Sequence, residues 1–87
     1  MPTEVTPPAG WQHQNDRLRR EFKFDDFVAA FGFMTQVALL AETHGHHPNW
    51  SNVYNRVTIE LTTHDAGNKV TDKDLDLATA INQIHAS

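Results

Sequence analysis

Residues 49–64 read NWSNVYNRVTIELTTH, and their pattern sets the architecture of the whole chain. Apolar and polar residues alternate along this stretch with the period of a strand that buries one face. The apolar face consists of Val53, Val57, Ile59 and Leu61, and the polar face of Arg56, Thr58, Glu60 and Thr62. Asn55 interrupts the apolar face and is a favourable turn residue. We therefore predict two antiparallel strands, residues 49–53 and 56–63, joined by a turn centred on Asn55.

This turn would bring two groups of histidines together. Positions paired across a hairpin have a constant sum, so a turn centred on Asn55 places His46 opposite His64. The preceding run, residues 43–50 (THGHHPNW), contains three of the six histidines of the chain. Histidine is the side chain that gains or loses a proton near neutral pH. The pattern thus indicates a site for proton transfer or metal binding, and Pro48 would keep this end of the hairpin open.

The flanking segments complete the predicted fold. Residues 11–24 are typical of a hairpin that turns at Asn15-Asp16, with Arg20 breaking its apolar face. A largely buried helix should follow, with Asp25 or Asp26 as its N-cap and Gly45 at its C-terminal end. Its predicted apolar stripe consists of Phe27, Phe31, Met34, Ala38 and Ala41, and Val28, Val37 and Leu40 widen that stripe. A capping box over residues 71–74 precedes a last helix whose inner face is Leu75, Ala78, Ile81 and Ile84, with Leu77 beside them. This order predicts an α+β fold of two layers, a four-stranded antiparallel sheet with helices packed on one face.

The composition excludes several classes of function. With 87 residues the chain makes one domain, which we place at residues 11–87 after a loose, proline-rich lead-in at residues 1–10. A net charge of −4 argues against nucleic-acid binding. The absence of cysteine excludes disulfides, thiolate zinc sites and cysteine nucleophiles. No apolar run approaches the ~20 residues of a membrane span, and no signal peptide is evident, so the expected location is the cytoplasm.

From residue chemistry alone, several interpretations of the polar side chains stay open. His13, His44 and His85 read as surface residues, and histidines near a helix end can simply cap its carbonyl groups. Glu42 is spaced to orient His46 if the helix persists, Asp74 could fix the tautomer of His64, and Trp50 could stack on a heterocycle. The metal alternative would use His44, His46, Glu42 and His64 as donors.

Taken together, the motif residues resemble the pterin-4a-carbinolamine dehydratase family, also known as the dimerisation cofactor of a homeodomain transcription factor. The matching pattern runs Glu42-x-x-x-His46-His47-Pro48, then Tyr54, His64 and Asp74, and the similarity extends from about Trp11 to His85. Supporting segments are residues 20–24 (REFKF), 31–34 (FGFM), 52–57 (NVYNRV) and 61–64 (LTTH). The family usually begins with an N-terminal helix, whereas the corresponding region of this chain is short and proline-rich.

The resemblance implies a reaction, its residues and its partners. A 4a-hydroxytetrahydropterin would lose water to give a quinonoid dihydropterin in tetrahydrobiopterin recycling, with no cofactor and no metal. His46 and His64 would be the acid–base pair, with His47 as the third catalytic histidine and mainly a substrate holder. Substrate contacts would also come from Pro48, Trp50, Thr63 and Asp65, and Glu42 and Asp74 would support the histidines from behind. The family also implies a homodimer or homotetramer and, as an alternative function, a protein-binding coactivator module.

Overall fold

Four strands form one antiparallel sheet, and two helices pack on one of its faces. The structure is a computed structural model that describes residues 6–86. Its elements in chain order are β1 (Gln12–Gln14), β2 (Arg17–Lys23), α1 (Phe27–His44), β3 (Asn49–Val53), β4 (Arg56–Leu61), a 3-10 turn (His64–Ala66) and α2 (Asp72–Ala86). The strand order across the sheet is β1-β2-β4-β3. The predicted α+β class, strand number and covered face are confirmed.

Both predicted hairpins are present, but the turn of the second is centred between Tyr54 and Asn55, half a residue before the predicted centre at Asn55. Its loop is Tyr54-Asn55, with Tyr54 in the left-handed region at φ 52°, and Asn49 pairs with Glu60. Paired residues therefore sum to 109 and not 110, so the predicted opposition of His46 and His64 is wrong by one residue. Val53 consequently pairs with Arg56, shares its outer face and is 65% exposed, contrary to the predicted inward orientation.

The core lies between the sheet and the helices. Its fully buried side chains come from both layers: Leu18 and Phe22 on β2, Val57, Ile59 and Leu61 on β4, Val37 on α1, and Leu77 and Ile81 on α2. The inner face predicted for α2 is confirmed, although Leu75 and Ile84 are only half-buried at its ends. Neither helix in the part of the chain that the structure describes is long and apolar enough to cross a membrane.

Helix α1 buries a face that overlaps the predicted one only in part. The buried positions are Ala30, Phe33, Val37 and Ala41, of which Val37 and Ala41 belong to the predicted stripe. The predicted stripe is exposed at Phe27 (47%), Phe31 (54%) and Val28 (77%). Because residues 27–41 are apolar almost all round the helix, spacings of three and four fit more than one face. Tertiary packing selects the face that meets β2 and β4.

Local signals placed the helix ends correctly. Asp26 caps α1, because its Oδ1 accepts a hydrogen bond from the Ala29 amide at 2.8 Å. Gly45 closes α1 in the left-handed conformation, with φ 60°. At α2 the capping box forms as predicted: the Thr71 amide donates to Oδ2 of Asp74 at 2.8 Å, and the Lys73 amide donates to the Thr71 hydroxyl at 3.3 Å. These two boundaries place the C-terminal end of α1 and the N-terminal end of α2 beside each other at the candidate site.

The end of the proline-rich lead-in is tied to the fold. The Ala9 carbonyl accepts hydrogen bonds from Arg20 Nη1 at 3.1 Å and Asn82 Nδ2 at 2.9 Å. Arg20 also donates to Asn82 Oδ1 at 2.7 Å and lies over the Phe22 ring, 4.5 Å from its centroid. The guanidinium that breaks the apolar face of β2 is therefore satisfied by the lead-in and by α2. Residues 1–5, the remainder of the predicted loose segment, lie outside the described residues.

Candidate functional site

A cavity of about 350 Å³ opens where α1 ends, β4 ends and α2 begins. Its volume lies within the range of about 300–1,000 Å³ that is usual for small-molecule sites. Three histidines line it together: His46 and His47 from the segment after α1, and His64 from the segment after β4. The predicted convergence of the two histidine groups is therefore present, although the hairpin register that suggested it is shifted.

His46 is held by a fully buried carboxylate. Its Nε2 lies 2.5 Å from Oδ1 of Asp74, and the His46 residue is only 9% exposed. The other oxygen of Asp74 accepts hydrogen bonds from the Thr63 hydroxyl and the Thr71 amide, both at 2.8 Å. Because Asp74 accepts at Nε2, the His46 tautomer with a proton on Nε2 is favoured and Nδ1 is left as the free acceptor. The predicted pairing of Asp74 with His64 is therefore wrong, and His46 is its partner.

His47 pairs with a carboxylate in the last turn of α1. Its Nε2 lies 2.5 Å from Oε2 of Glu42, and both side chains are largely exposed. The spacing of Glu42 suggested a contact with His46 on a continuing helix. Gly45 ends the helix before that position, and the chain reversal presents His47 to Glu42 instead. An exposed pair of this kind orients a ring more than it stabilises the fold.

His64, like His47, is exposed. It begins the 3-10 turn, and its Nδ1 lies 2.7 Å from Oδ1 of Asn68. Asn68 reaches back because it adopts a left-handed conformation, with φ 61°, directly after Gly67 at φ 79°. If the amide oxygen of Asn68 accepts at Nδ1, the proton-accepting nitrogen of His64 is Nε2. Each of the three imidazoles of the site thus has one ring nitrogen hydrogen-bonded to the protein and one available to a bound molecule.

The remaining predicted site residues separate into two groups. Pro48, Thr63 and Asp65 line the cavity as expected. Trp50 does not, because it pairs with Ile59 on the inner side of the hairpin and packs against the core. His44 is exposed at the end of α1 and also lies off the cavity wall.

Sequence reasoning missed part of the cavity wall. The unpredicted polar residues are Asn49, Glu60, Thr62 and Lys73. Glu60 and Thr62 could have been identified, since the alternation along β4 places them on the outer face leading directly to His64. Lys73 could not, because its position depends on how α2 docks against the sheet.

His85 is also not the surface residue that its isolation in the sequence suggested. Its ring contacts Phe22, Phe24 and Phe33, with ring centroids 5.0, 5.8 and 5.7 Å away. Burial, together with the positive charge of Arg20, lowers the pKa of His85 from its ordinary value of 6.5. This aromatic cluster belongs to the packing of α2 and not to the cavity.

The donors of the metal alternative do not assemble. Within residues 6–86, no three histidine or acidic side chains lie close enough to hold one metal ion. Glu42 is engaged by His47, and His46 by Asp74. The arrangement is that of separately oriented imidazoles around an open cavity, which suits proton transfer to and from a bound molecule.

Comparison with known proteins gives consistent results. Residues 2–84 match a family model described as pterin 4 alpha carbinolamine dehydratase. A Prochlorococcus marinus (strain MIT 9303) protein named as a pterin-4-alpha-carbinolamine dehydratase is 64% identical over 73 residues, which cover 84% of this chain and 75% of that relative. A protein of the same designation from Solibacter usitatus is 55% identical over 78 residues, covering 90% and 81% of the two chains.

A solved structure shares the fold. The crystal structure of a transcriptional coactivator/pterin dehydratase from Brucella melitensis superposes with a TM-score of 0.81 at 49% sequence identity. The match covers 87% of this chain and 82% of that one. The resemblance inferred from the motif residues is therefore confirmed.

Proposed function

This chain belongs to the pterin 4 alpha carbinolamine dehydratase family, and from that premise we propose that its histidine cavity removes water from a 4a-hydroxytetrahydropterin. The observation that carries the proposal is that His46, His47 and His64 line one cavity although they come from two separate segments. The product is a quinonoid dihydropterin, and the proposed role is tetrahydrobiopterin recycling in the cytoplasm.

The reaction needs one proton removed and one proton supplied. A base takes the proton from N5 of the pterin, the electrons of that bond form the N5–C4a double bond, and the C4a–oxygen bond breaks. An acid protonates the departing hydroxyl group, which leaves as water. The enzyme ends with the same number of protons, so two imidazoles of opposite protonation state are sufficient.

We assign the acid–base pair to His46 and His64. The Asp74 carboxylate holds His46 in one tautomer, and the Asn68 amide orients the ring of His64. His47, held by Glu42, would position the pterin ring together with Pro48 and Thr63 at the cavity wall. Proton transfer of this kind typically contributes about 10²–10⁴-fold in rate.

The test is dehydration of a synthetic pterin carbinolamine by single variants. His46→Ala and His64→Ala should each lower kcat by at least about 10²-fold, while circular dichroism remains that of the wild type. The matched control is His44→Ala, which removes a neighbouring imidazole that does not line the cavity. Turnover near that of the wild type in both cavity variants would contradict the assigned roles.

A second candidate function is protein binding through α1, and with it a homo-oligomeric state. The Brucella relative is described as a transcriptional coactivator as well as a dehydratase. Helix α1 exposes Phe27 and Phe31, whose tilted rings have centroids 5.8 Å apart, together with Val28 and Leu39. Large apolar side chains exposed along one helix favour an interaction site when they lie together, as Phe27 and Phe31 do.

Sedimentation of two variants separates this function from catalysis. Phe31→Ser should shift the protein to a smaller species if α1 joins subunits, whereas His46→Ala should sediment as the wild type does. If the cavity is independent of the interface, Phe31→Ser should keep its dehydratase activity, whereas His46→Ala should lose it. A monomeric wild type over the micromolar range would reject homo-oligomerisation.

A further inference from the structure

Two shallow grooves on the outer face of the sheet continue the histidine cavity. Asn49 and Glu60 line both the cavity and the first groove. Arg19 and Glu60 then line both the first groove and a second one, which Arg17 also borders. Because Glu60 borders all three, the depressions meet around its side chain. A molecule seated in the cavity with an appendage toward the sheet would place that appendage here.

The strand register gives this surface its dimensions. Asn49 pairs with Glu60, and Glu60 pairs with Arg19, so the three side chains form a row across β3, β4 and β2. Neighbouring strands lie about 4.8 Å apart, so the row from Asn49 to Arg19 spans roughly 10 Å. This distance corresponds to the reach of a short substituted alkyl chain that starts at the cavity mouth.

The row offers hydrogen-bond donors and acceptors side by side. Glu60 accepts from Arg17 Nη1 at 2.9 Å, and its second oxygen lies 3.6 Å from Arg19 Nε. The side chains of Arg17, Arg19 and Glu60 keep between 30% and 44% of their surface exposed, so a ligand can reach each of them. Each guanidinium has five N–H donors and the carboxylate has about four acceptor sites, which leaves most of these groups free.

We propose that this surface is a subsite for the C6 substituent of the pterin and that Arg17 and Arg19, with Glu60, select a neutral substituent rich in hydroxyl groups. A hydroxyl group donates to the carboxylate and accepts from a guanidinium at once. A phosphate or carboxylate would gain the guanidinium contacts but would face the negative charge of Glu60. The inference rests on the proposed function, because it takes the cavity as the site of the pterin ring.

The test compares pterin carbinolamines that differ only at C6. One substrate carries a methyl group, one a polyhydroxyalkyl chain, and one the phosphate ester of that chain. The wild type should have its highest kcat/KM with the polyhydroxyalkyl substrate. Arg19→Gln and Arg17→Gln should each lower the ratio of kcat/KM for the polyhydroxyalkyl substrate over the methyl substrate about tenfold, mainly through KM, because each variant removes a charge-assisted hydrogen bond to the substituent.

Lys23→Gln is the matched control, because Lys23 is an exposed cation on the outer face of the same strand and borders none of the three depressions. It should leave the ratio unchanged. An unchanged ratio in both arginine variants, or a wild-type preference for the phosphate ester, would overturn the proposal.

Binding of the corresponding stable 7,8-dihydropterins, measured by calorimetry, tests the subsite without the reaction. The hydroxylated compound should bind the wild type more tightly than the methyl compound, and Arg19→Gln should remove the difference. Equal affinities in the wild type would overturn the subsite even if dehydration is observed. Absence of turnover with selective binding intact would instead reject the proposed reaction alone.

Discussion

The Nε2 atom of His46 lies 2.5 Å from a carboxylate oxygen of Asp74, a residue with no exposed surface that sits 28 positions away in the first turn of α2. The same carboxylate completes the capping box of α2 and accepts the Thr63 hydroxyl. One buried carboxyl group therefore links the end of α1, the end of β4 and the start of α2. The geometry of the proposed acid–base site and the docking of α2 depend on the same side chain.

Asp74→Asn should lower both catalysis and stability. The amide oxygen of asparagine can still accept from Thr71 and Thr63, but its NH₂ group then faces Nε2 of His46 and requires the other tautomer. We expect kcat to fall by about 10²-fold, with a loss of unfolding free energy of about 1–3 kcal/mol. Dehydration kinetics and urea unfolding measure the two effects.

Asp72→Asn is the control for that variant, since Asp72 is an exposed acid in the same first turn of α2. It should change kcat little. Equal losses of activity in the two variants would show that charge at the helix start, and not the contact with His46, is responsible.

Asn68→Gly should lower kcat by releasing the His64 ring, without disturbing the backbone. Asn68 has φ 61°, which glycine adopts without strain, so the variant removes only the acceptor at Nδ1. Loss of one neutral hydrogen bond is worth about 0.5–1.5 kcal/mol, so kcat should fall up to about tenfold.

Asn68→Asp keeps an acceptor at the same place and should retain activity. The pH dependence of kcat, recorded for both variants, reports whether the effect passes through an imidazole. A loss of activity that is equal in the glycine and aspartate variants would count against an orienting role for Asn68.

Gly10→Ala should destabilise the fold more than Gly67→Ala does. Both glycines have left-handed φ, 86° and 79°, where a side chain costs roughly 1–2 kcal/mol. A Cβ at Gly10 would also approach Cζ of Arg20 to 2.6 Å, whereas one at Gly67 would meet nothing within 4 Å. Moving Arg20 would break its contacts with Ala9, Asn82 and the Phe22 ring. Unfolding midpoints that are equal for the two variants would contradict this account.

Local signals predicted most of the fold, and non-local packing decided the rest. Asp26, Gly45 and the capping box at residues 71–74 act within a few positions, so their roles could be inferred directly from the sequence. The face of α1 could not, because its apolar residues nearly surround the helix and only the sheet distinguishes them. Tyr54, a bulky residue in a left-handed turn position, shifted the second hairpin by one residue.

The candidate site was predictable in its members but not in its pairings. Histidines on both sides of a hairpin converge whether the turn falls at residue 55 or half a position earlier. The partner of each histidine depends on how the chain leaves α1 and on where α2 docks. Glu42 meets His47 and not His46 because Gly45 ends α1 before that position, and Asp74 at the start of α2 meets His46 and not His64.

His85 should make the fold sensitive to mild acid. Its pKa is lowered in the folded state by burial among Phe22, Phe24 and Phe33 and by the nearby Arg20. The unfolded chain therefore binds a proton at His85 more readily than the folded one does. The stability that neutral His85 contributes is complete above the unfolded pKa of 6.5. It declines as the pH falls below that value, until the lower folded pKa is passed.

His85→Phe keeps an aromatic ring in the cluster but cannot titrate, so its free energy of unfolding should fall less than that of the wild type between about pH 7.5 and about pH 5. Urea unfolding at both pH values measures the difference, and His13→Phe, which replaces an exposed histidine on β1, should follow the wild type. A wild type and a His85→Phe variant with parallel pH profiles would show that the aromatic cluster accommodates the imidazolium without cost.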